Sequence, residues 1–119
     1  MKQGSAADAA LLEHMRECIA RVCEYTGLDH ARFEGSRMVQ DAVVRNLQTL
    51  TESSQRLSDE IKATEPQVPW RELAGFRNVL VHGYLGIDLA AVWAVVEQDL
   101  PGLGLAIDRM TARESTPDA

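Results

Sequence analysis

The stretch GSRMVQDAVVRNLQTLTESSQRLSDEIKAT, residues 35–64, decides the architecture. Val39, Val43, Asn46, Leu50, Ser53, Leu57 and Ile61 recur in it at steps of four and three residues, or close to them. That period puts them on one face of a helix. The spacing predicts one long helix of about 28 residues, some 40 Å at a rise of ~1.5 Å each. A single layer of a small bundle needs less, so part of it is expected to pack on a second subunit. Asn46 and Ser53 occupy seam positions where packing alone prefers Leu or Ala. Polar groups there fix register or face an interface or a site.

Working outward, Leu11, Leu12, Met15, Cys18, Ile19, Val22 and Cys23 give an amphipathic helix from about Ser5 to Tyr25, stopped by Gly27. On the other side, Pro66 and Pro69 make Thr64–Pro69 a linker. Trp70, Leu73, Phe76, Val79 or Leu80, and Tyr84 continue a helical pattern, the helix running through Leu80 and ended by Gly83 with Gly86. Asp88 suits the N-cap of a fourth helix with Leu89, Val92, Trp93 and Val96 at helical spacing. Pro101 and Gly102 are expected to interrupt it before a short final helix through Leu103, Ile107 and Met110, with Arg113 to Ala119 frayed. No strand-like alternation, internal repeat or low-complexity tract is present. The expectation is an all-α bundle of four or five helices forming one domain over 1–119, with an ordered core at about 5–112.

Composition agrees with this reading. A chain of 119 residues suits a single core, and its 45% hydrophobic content with only 5% aromatic residues favours helices over sheets. The formal charge is −6 and the pI about 5.0, so the average field of the molecule does not attract a polyanion. Any nucleic-acid binding has to be local. Cys18 and Cys23, five apart, are neither a C-x-x-C pair nor on one helical face, and read as reduced thiols. No apolar leader and no uninterrupted apolar run of membrane-spanning length is seen, which gives a cytoplasmic expectation.

The segment with chemical content is Phe76-Arg-Asn-Val-Leu-Val-His82-Gly-Tyr84. Arg77 and His82 stand five apart, about 7.5 Å along an ideal helix and about 140° around it, so one regular helix holds them poorly together. Asn78 and His82, four apart, share a face. Metal-free RNA cleavage needs a proton taken from the 2′-hydroxyl, a proton given to the leaving 5′-oxygen, and charge stabilisation between them. A histidine can do either transfer near neutral pH, and an arginine matches phosphate oxygens. One histidine does not easily serve both faces of an in-line displacement, whereas two copies facing each other across a two-fold axis would.

The stretch Val68-Pro-Trp-Arg-Glu-Leu-Ala-Gly-Phe-Arg-Asn-Val-Leu-Val-His-Gly-Tyr-Leu-Gly-Ile-Asp88 resembles the signature of the HepT-like HEPN family. Gln40-Asp-Ala-Val-Val-Arg-Asn-Leu-Gln-Thr-Leu-Thr-Glu-Ser53 is similar to its second helix, and Asp88 to Pro101 to its fourth. The resemblance implies a homodimeric HEPN-type bundle that acts as a metal-independent endoribonuclease toxin, cutting RNA, tRNA among the candidates, and leaving a 2′,3′-cyclic phosphate. It implies Arg77 and His82 as catalytic, Asn78 as a shaping residue, no cofactor or metal, and a minimal nucleotidyltransferase antitoxin that adds AMP to Tyr84. Such a bulky charge beside the pair would repel the RNA backbone. One departure is Thr51-Glu52-Ser53, where members commonly have Gly-Glu-Ala, which bears on close packing there.

Glu52 has two readings: an ordinary pair with Arg56 on its own helix, or a supporting residue that orients Arg77 or His82. His14 and His30 show no partner pattern, and Trp70 and Trp93 fall at core positions. A catalytically inactive bundle that binds a nucleotidyltransferase is the alternative function. A structural helical dimer is a third.

Overall fold

A computed structural model describes residues 5–82 and 86–115, with Ser5, Val81, His82 and Ser115 described in backbone only. The chain is all-α: α1 Ser5–Thr26, α2 His30–Glu34, α3 Arg37–Arg56, α4 Asp59–Ala63, α5 Trp70–His82, α6 Leu89–Ala94, a π-helical turn Val95–Asp99, and α7 Leu100–Ser115. α3 lies between α1 and α5, and α7 packs on α1. The core forms where these faces meet. Leu12, Met15, Cys18 and Val22 come from α1, Val43, Leu47 and Leu50 from α3, Leu80 from α5, and Val96, Leu103, Ile107 and Met110 from the last helical stretch. Burial of each such side chain is worth about 1.5–3 kcal/mol.

α1 ends as expected, with Gly27 at φ 59 and its N–H on the Cys23 carbonyl. The short α2 was not expected, because five residues are too few to show a period. Asp29 caps it by accepting from the Ala31 N–H at 3.0 Å, and its buried Phe33 packs on Trp93.

The single helix expected over residues 35–64 is two helices. α3 stops at Arg56, Leu57 turns extended at ψ 145, and Ser58 caps α4 by accepting from the Ile61 N–H. The cause lies fifty residues away. The carboxylate of Asp8 on α1, 4% exposed, accepts from the Ser58 N–H at 2.9 Å and from its hydroxyl at 2.6 Å, which holds Ser58 out of the helical conformation. With α3 shortened to 20 residues, its length no longer argues for a second subunit.

The interruption expected at Pro101 is also absent: helix continues from Leu89 to Glu114. In an α-helix the proline ring collides with the carbonyl four residues back. The preceding π turn, closed by the Leu100 N–H on the Val95 carbonyl, adds a residue there and moves that carbonyl aside. By length and composition alone this stretch could cross a membrane, but Val92, Trp93, Val96, Leu100, Leu103, Ala106, Ile107 and Met110 of it are buried in the core.

Of the polar seam residues of α3, Ser53 bonds across to α1 and Asn46 bonds within α3. The hydroxyl of Ser53 meets His14 Nδ1 at 2.8 Å, and Thr51, fully buried, donates to the Gln48 carbonyl. Both hydroxyl side chains thus pack with their polar atoms satisfied. Asn46 donates to the Ala42 carbonyl of its own helix.

Sequence reading did not anticipate the anchor of the linker after α4. Glu65, 2% exposed, accepts from Arg109 at 2.6 and 3.1 Å, from Arg113 at 2.6 Å and from Gln67 at 2.6 Å, while Trp70 Nε1 donates to its carbonyl. The Arg109 hydrogen bonds outweigh desolvation and, with Arg113 and Gln67, lower the carboxyl from 4.5 to about 2. A group depressed in the folded state contributes stability that is complete above 4.5 and is lost as pH falls toward about 2. Glu65→Gln is therefore expected to lower the urea midpoint near neutral pH, and the gap to the parent protein should shrink steadily below pH 4.5. A gap that does not change with pH contradicts this account.

Candidate functional site at the end of α5

α5 presents the Arg77 and Asn78 end of the motif on the side where it meets α3. Leu80, 2% exposed, and the partly buried Phe76 tie the helix to the core, so the polar residues between them are held at the surface. The last turn of a helix leaves carbonyls without partners. One of them, that of Leu80, accepts from the side-chain amide of Gln48 on α3 at 3.1 Å, and two turns earlier the Ala74 carbonyl accepts from Gln55 at 3.4 Å.

Between these two glutamines sits Glu52. Its carboxylate accepts from the Arg77 guanidinium at 3.2 Å, the two side chains being 45% and 32% exposed. Glu52 thus pairs across helices with Arg77, and its partner is not Arg56. Arg77 Nε is buried and has no hydrogen-bond partner among the described residues. A guanidinium gripped at one nitrogen and a third exposed keeps donors for a further anion. Asn78 is exposed beside it.

α5 stays helical through His82, so the backbone keeps the 140° offset of an ideal helix, about a third of a turn or more, between the Arg77 and His82 positions. The last-turn distortion that would let both side chains of one protomer converge is not present in the described backbone. The side chain of His82, and all of Gly83 and Tyr84, lie outside the described residues.

The remaining candidates have structural employment. His14 bonds Ser53 and approaches the thiol of Cys18, which also meets Thr49 at 3.3 Å; this group sits at the α1–α3 seam with Cys18 fully buried. His30 pairs with Glu34 at 2.8 Å and stacks on Trp93. Trp93 is buried and Trp70 packs against the core, as their spacing suggested. Both cysteines are free thiols. Among the described residues no group of His, Cys, Asp or Glu is arranged to hold a metal ion. The bond from Gln48 to α5 was not foreseen; its seven-residue spacing from Gln55, with Glu52 between, was the available signal.

Comparison with known proteins supplies the family. The model of the family described as ribonuclease HepT-like matches residues 15–110. A protein of Methanocaldococcus jannaschii named for RNase activity is 36% identical over 93 residues, 77% of this chain and 85% of its own. One carrying the name ribonuclease HepT in Thermococcus cleftensis is 34% identical over 93 residues, covering 77% of this chain and 84% of its own. A third, from Caldanaerobacter subterraneus subsp. tengcongensis and also named for RNase activity, is 28% identical over 104 residues, or 87% and 93% of the two chains. No solved structure matches. With four fifths of its length matched by the family model and relatives above 30% identity covered over about 85% of their own length, the chain belongs to the HepT-like ribonuclease family.

Proposed function

We propose that this chain is a metal-independent endoribonuclease, the toxin of a toxin–antitoxin pair, with Arg77 and His82 as its catalytic residues and Asn78 and Glu52 supporting them. The observation that carries the reading is the Arg77 guanidinium, fixed by Glu52 from the neighbouring helix yet a third exposed, with Asn78 exposed next to it. Glu52 engages one nitrogen of the guanidinium, and a phosphate oxygen is the complement of the donors that it leaves open.

Two protomers complete the chemistry. Arg77 and His82 diverge on a regular α5, so each set is most effective when a second α5 faces it across a two-fold axis. One imidazole then takes the 2′-hydroxyl proton and the other protonates the 5′-oxygen, while the arginines hold the charge on the phosphorane. The product is a 2′,3′-cyclic phosphate. Tyr84, two residues past the histidine, is where a minimal nucleotidyltransferase antitoxin would attach AMP, adding negative charge where the RNA backbone has to lie.

The net charge of −6 favours a second reading, a catalytically inactive bundle that serves to bind the nucleotidyltransferase. Growth arrest on induction without the neighbouring gene is expected of the nuclease and not of the binding module. Purified protein is expected to cleave RNA in EDTA, with Arg77→Ala slower by about 10²–10³-fold and His82→Ala by about 10²–10⁴-fold. Unchanged cleavage in both variants rejects the assignment. Glu52→Ala is expected to slow cleavage about 10- to 100-fold by loosening Arg77, while costing under ~1 kcal/mol of stability because the pair is partly exposed; a large stability loss with full activity would make the pair purely structural. Co-expression with the adjacent open reading frame should add the mass of one or more AMP groups to Tyr84, and an unmodified tyrosine in a growth-neutral pair contradicts that part of the proposal.

A further inference from the structure

α3 carries more free positive charge than its sequence pattern advertises. Arg32, Arg37, Arg45, Arg56 and Arg71 make no ion pair with any described residue, whereas Arg16 and Arg21 pair with Glu13 and Glu17, and Arg109 and Arg113 share Glu65. Three of the five free arginines are on α3. At 3.6 residues per turn, Arg37, Asp41, Arg45, Gln48, Glu52 and Arg56 fall within about 100° of arc, a single face of the helix.

The N-terminal half of that face opens into a groove of about 660 Å³. Arg37, Asp41, Arg45 and Gln48 line one wall, and Ile87 and Leu89, after α5, stand on the other. Its charged side chains, two arginines and one aspartate, sum to a positive charge on a chain of −6. Asp41 lies one turn from each arginine and beyond ion-pair distance of both, so it tempers the field without consuming either cation. The face continues to Glu52, where Arg77 joins from α5. Along the helix Arg45 stands about 10 Å, and Arg37 about 22 Å, from Glu52.

We propose that this groove is a phosphate track. Arg37 and Arg45 bind backbone phosphates of a single RNA strand on its way to Arg77, and the partly buried Ile87 and Leu89 offer apolar surface to its bases. Placing the scissile bond at Arg77 rests on the nuclease reading above; the track itself is a binding site with its own readout. A cationic groove that follows the backbone binds single strands with little sequence preference, and each phosphate contact adds to the salt dependence.

The test uses His82→Ala protein, a labelled single-stranded oligoribonucleotide and fluorescence anisotropy over a series of salt concentrations. Adding Arg37→Gln and Arg45→Gln together is expected to weaken binding by tenfold or more at low salt, on the order of two lost contacts, and to reduce the slope of log affinity against log salt by about 1.4. Arg16→Gln with Arg21→Gln removes the same formal charge from α1 and is expected to leave the slope unchanged. Equal effects of the two pairs, no change in slope, or no RNA binding by the His82→Ala protein overturns the track. Cleavage by the unaltered protein is scored separately. Cleavage without a slope change removes the track and leaves the nuclease, and a slope change without cleavage does the reverse.

Discussion

Three polar side chains on one helix set the orientation of the motif-bearing helix. Gln48, Glu52 and Gln55 occur at i, i+4 and i+7 of α3, and they meet the Leu80 carbonyl, the Arg77 guanidinium and the Ala74 carbonyl of α5 in turn. Apolar side chains alone would let α5 slide or rotate along α3 at small cost. Directional bonds resist this, because slippage by one residue leaves the Leu80 carbonyl and the Arg77–Glu52 pair, both partly buried, without their partners. The next face of the same helix packs Val43, Leu47 and Leu50 against α1. α3 therefore joins the core to the candidate site, and the motif end of α5 is as well placed as α3 is rigid.

The fixity of α3 comes from its ends. Asp8 terminates it by holding Ser58 out of helix, and Gln40 ties its first turns to the Phe33 and Glu34 carbonyls of α2. Beyond the break, Glu65 clamps the linker to α7 through two arginines, so α5 starts from a fixed point. These are the costly interactions of the fold, in that a carboxylate buried to this degree is tolerated only when fully paired.

What could be read in the sequence was what repeats. The period of α1, the Asp88 cap, the core tryptophans and the helical class all follow from local pattern, and the motif residues Arg77 and Asn78 emerge where a helix end was expected. The parts that could not be read depend on partners far apart in the chain. Nothing around Ser58 signals that Asp8 will reach it, the π turn before Pro101 leaves no composition mark, and Glu65 looks like any surface glutamate until Arg109 and Arg113 arrive from α7. Glu52 shows the same limit: sequence offered Arg56 and Arg77 as partners, and only packing selects between them. The His82 side chain and Tyr84 lie outside the described residues, so the histidine half of the site rests on family and chemistry.

An acidic chain that acts on RNA must arrange its charges locally, and here the acidic residues of α1 and the linker neutralise arginines away from α3 while those along α3 stay free. The central claim is that an arginine and a histidine, without a metal, drive attack by the neighbouring 2′-hydroxyl. Mass analysis of the new ends formed in the presence of EDTA tests it most directly. Fragments ending in a 2′,3′-cyclic phosphate, with a free 5′-hydroxyl on the downstream piece, are the expected result; 5′-phosphate and 3′-hydroxyl ends, or no fragments until a divalent cation is supplied, would contradict it.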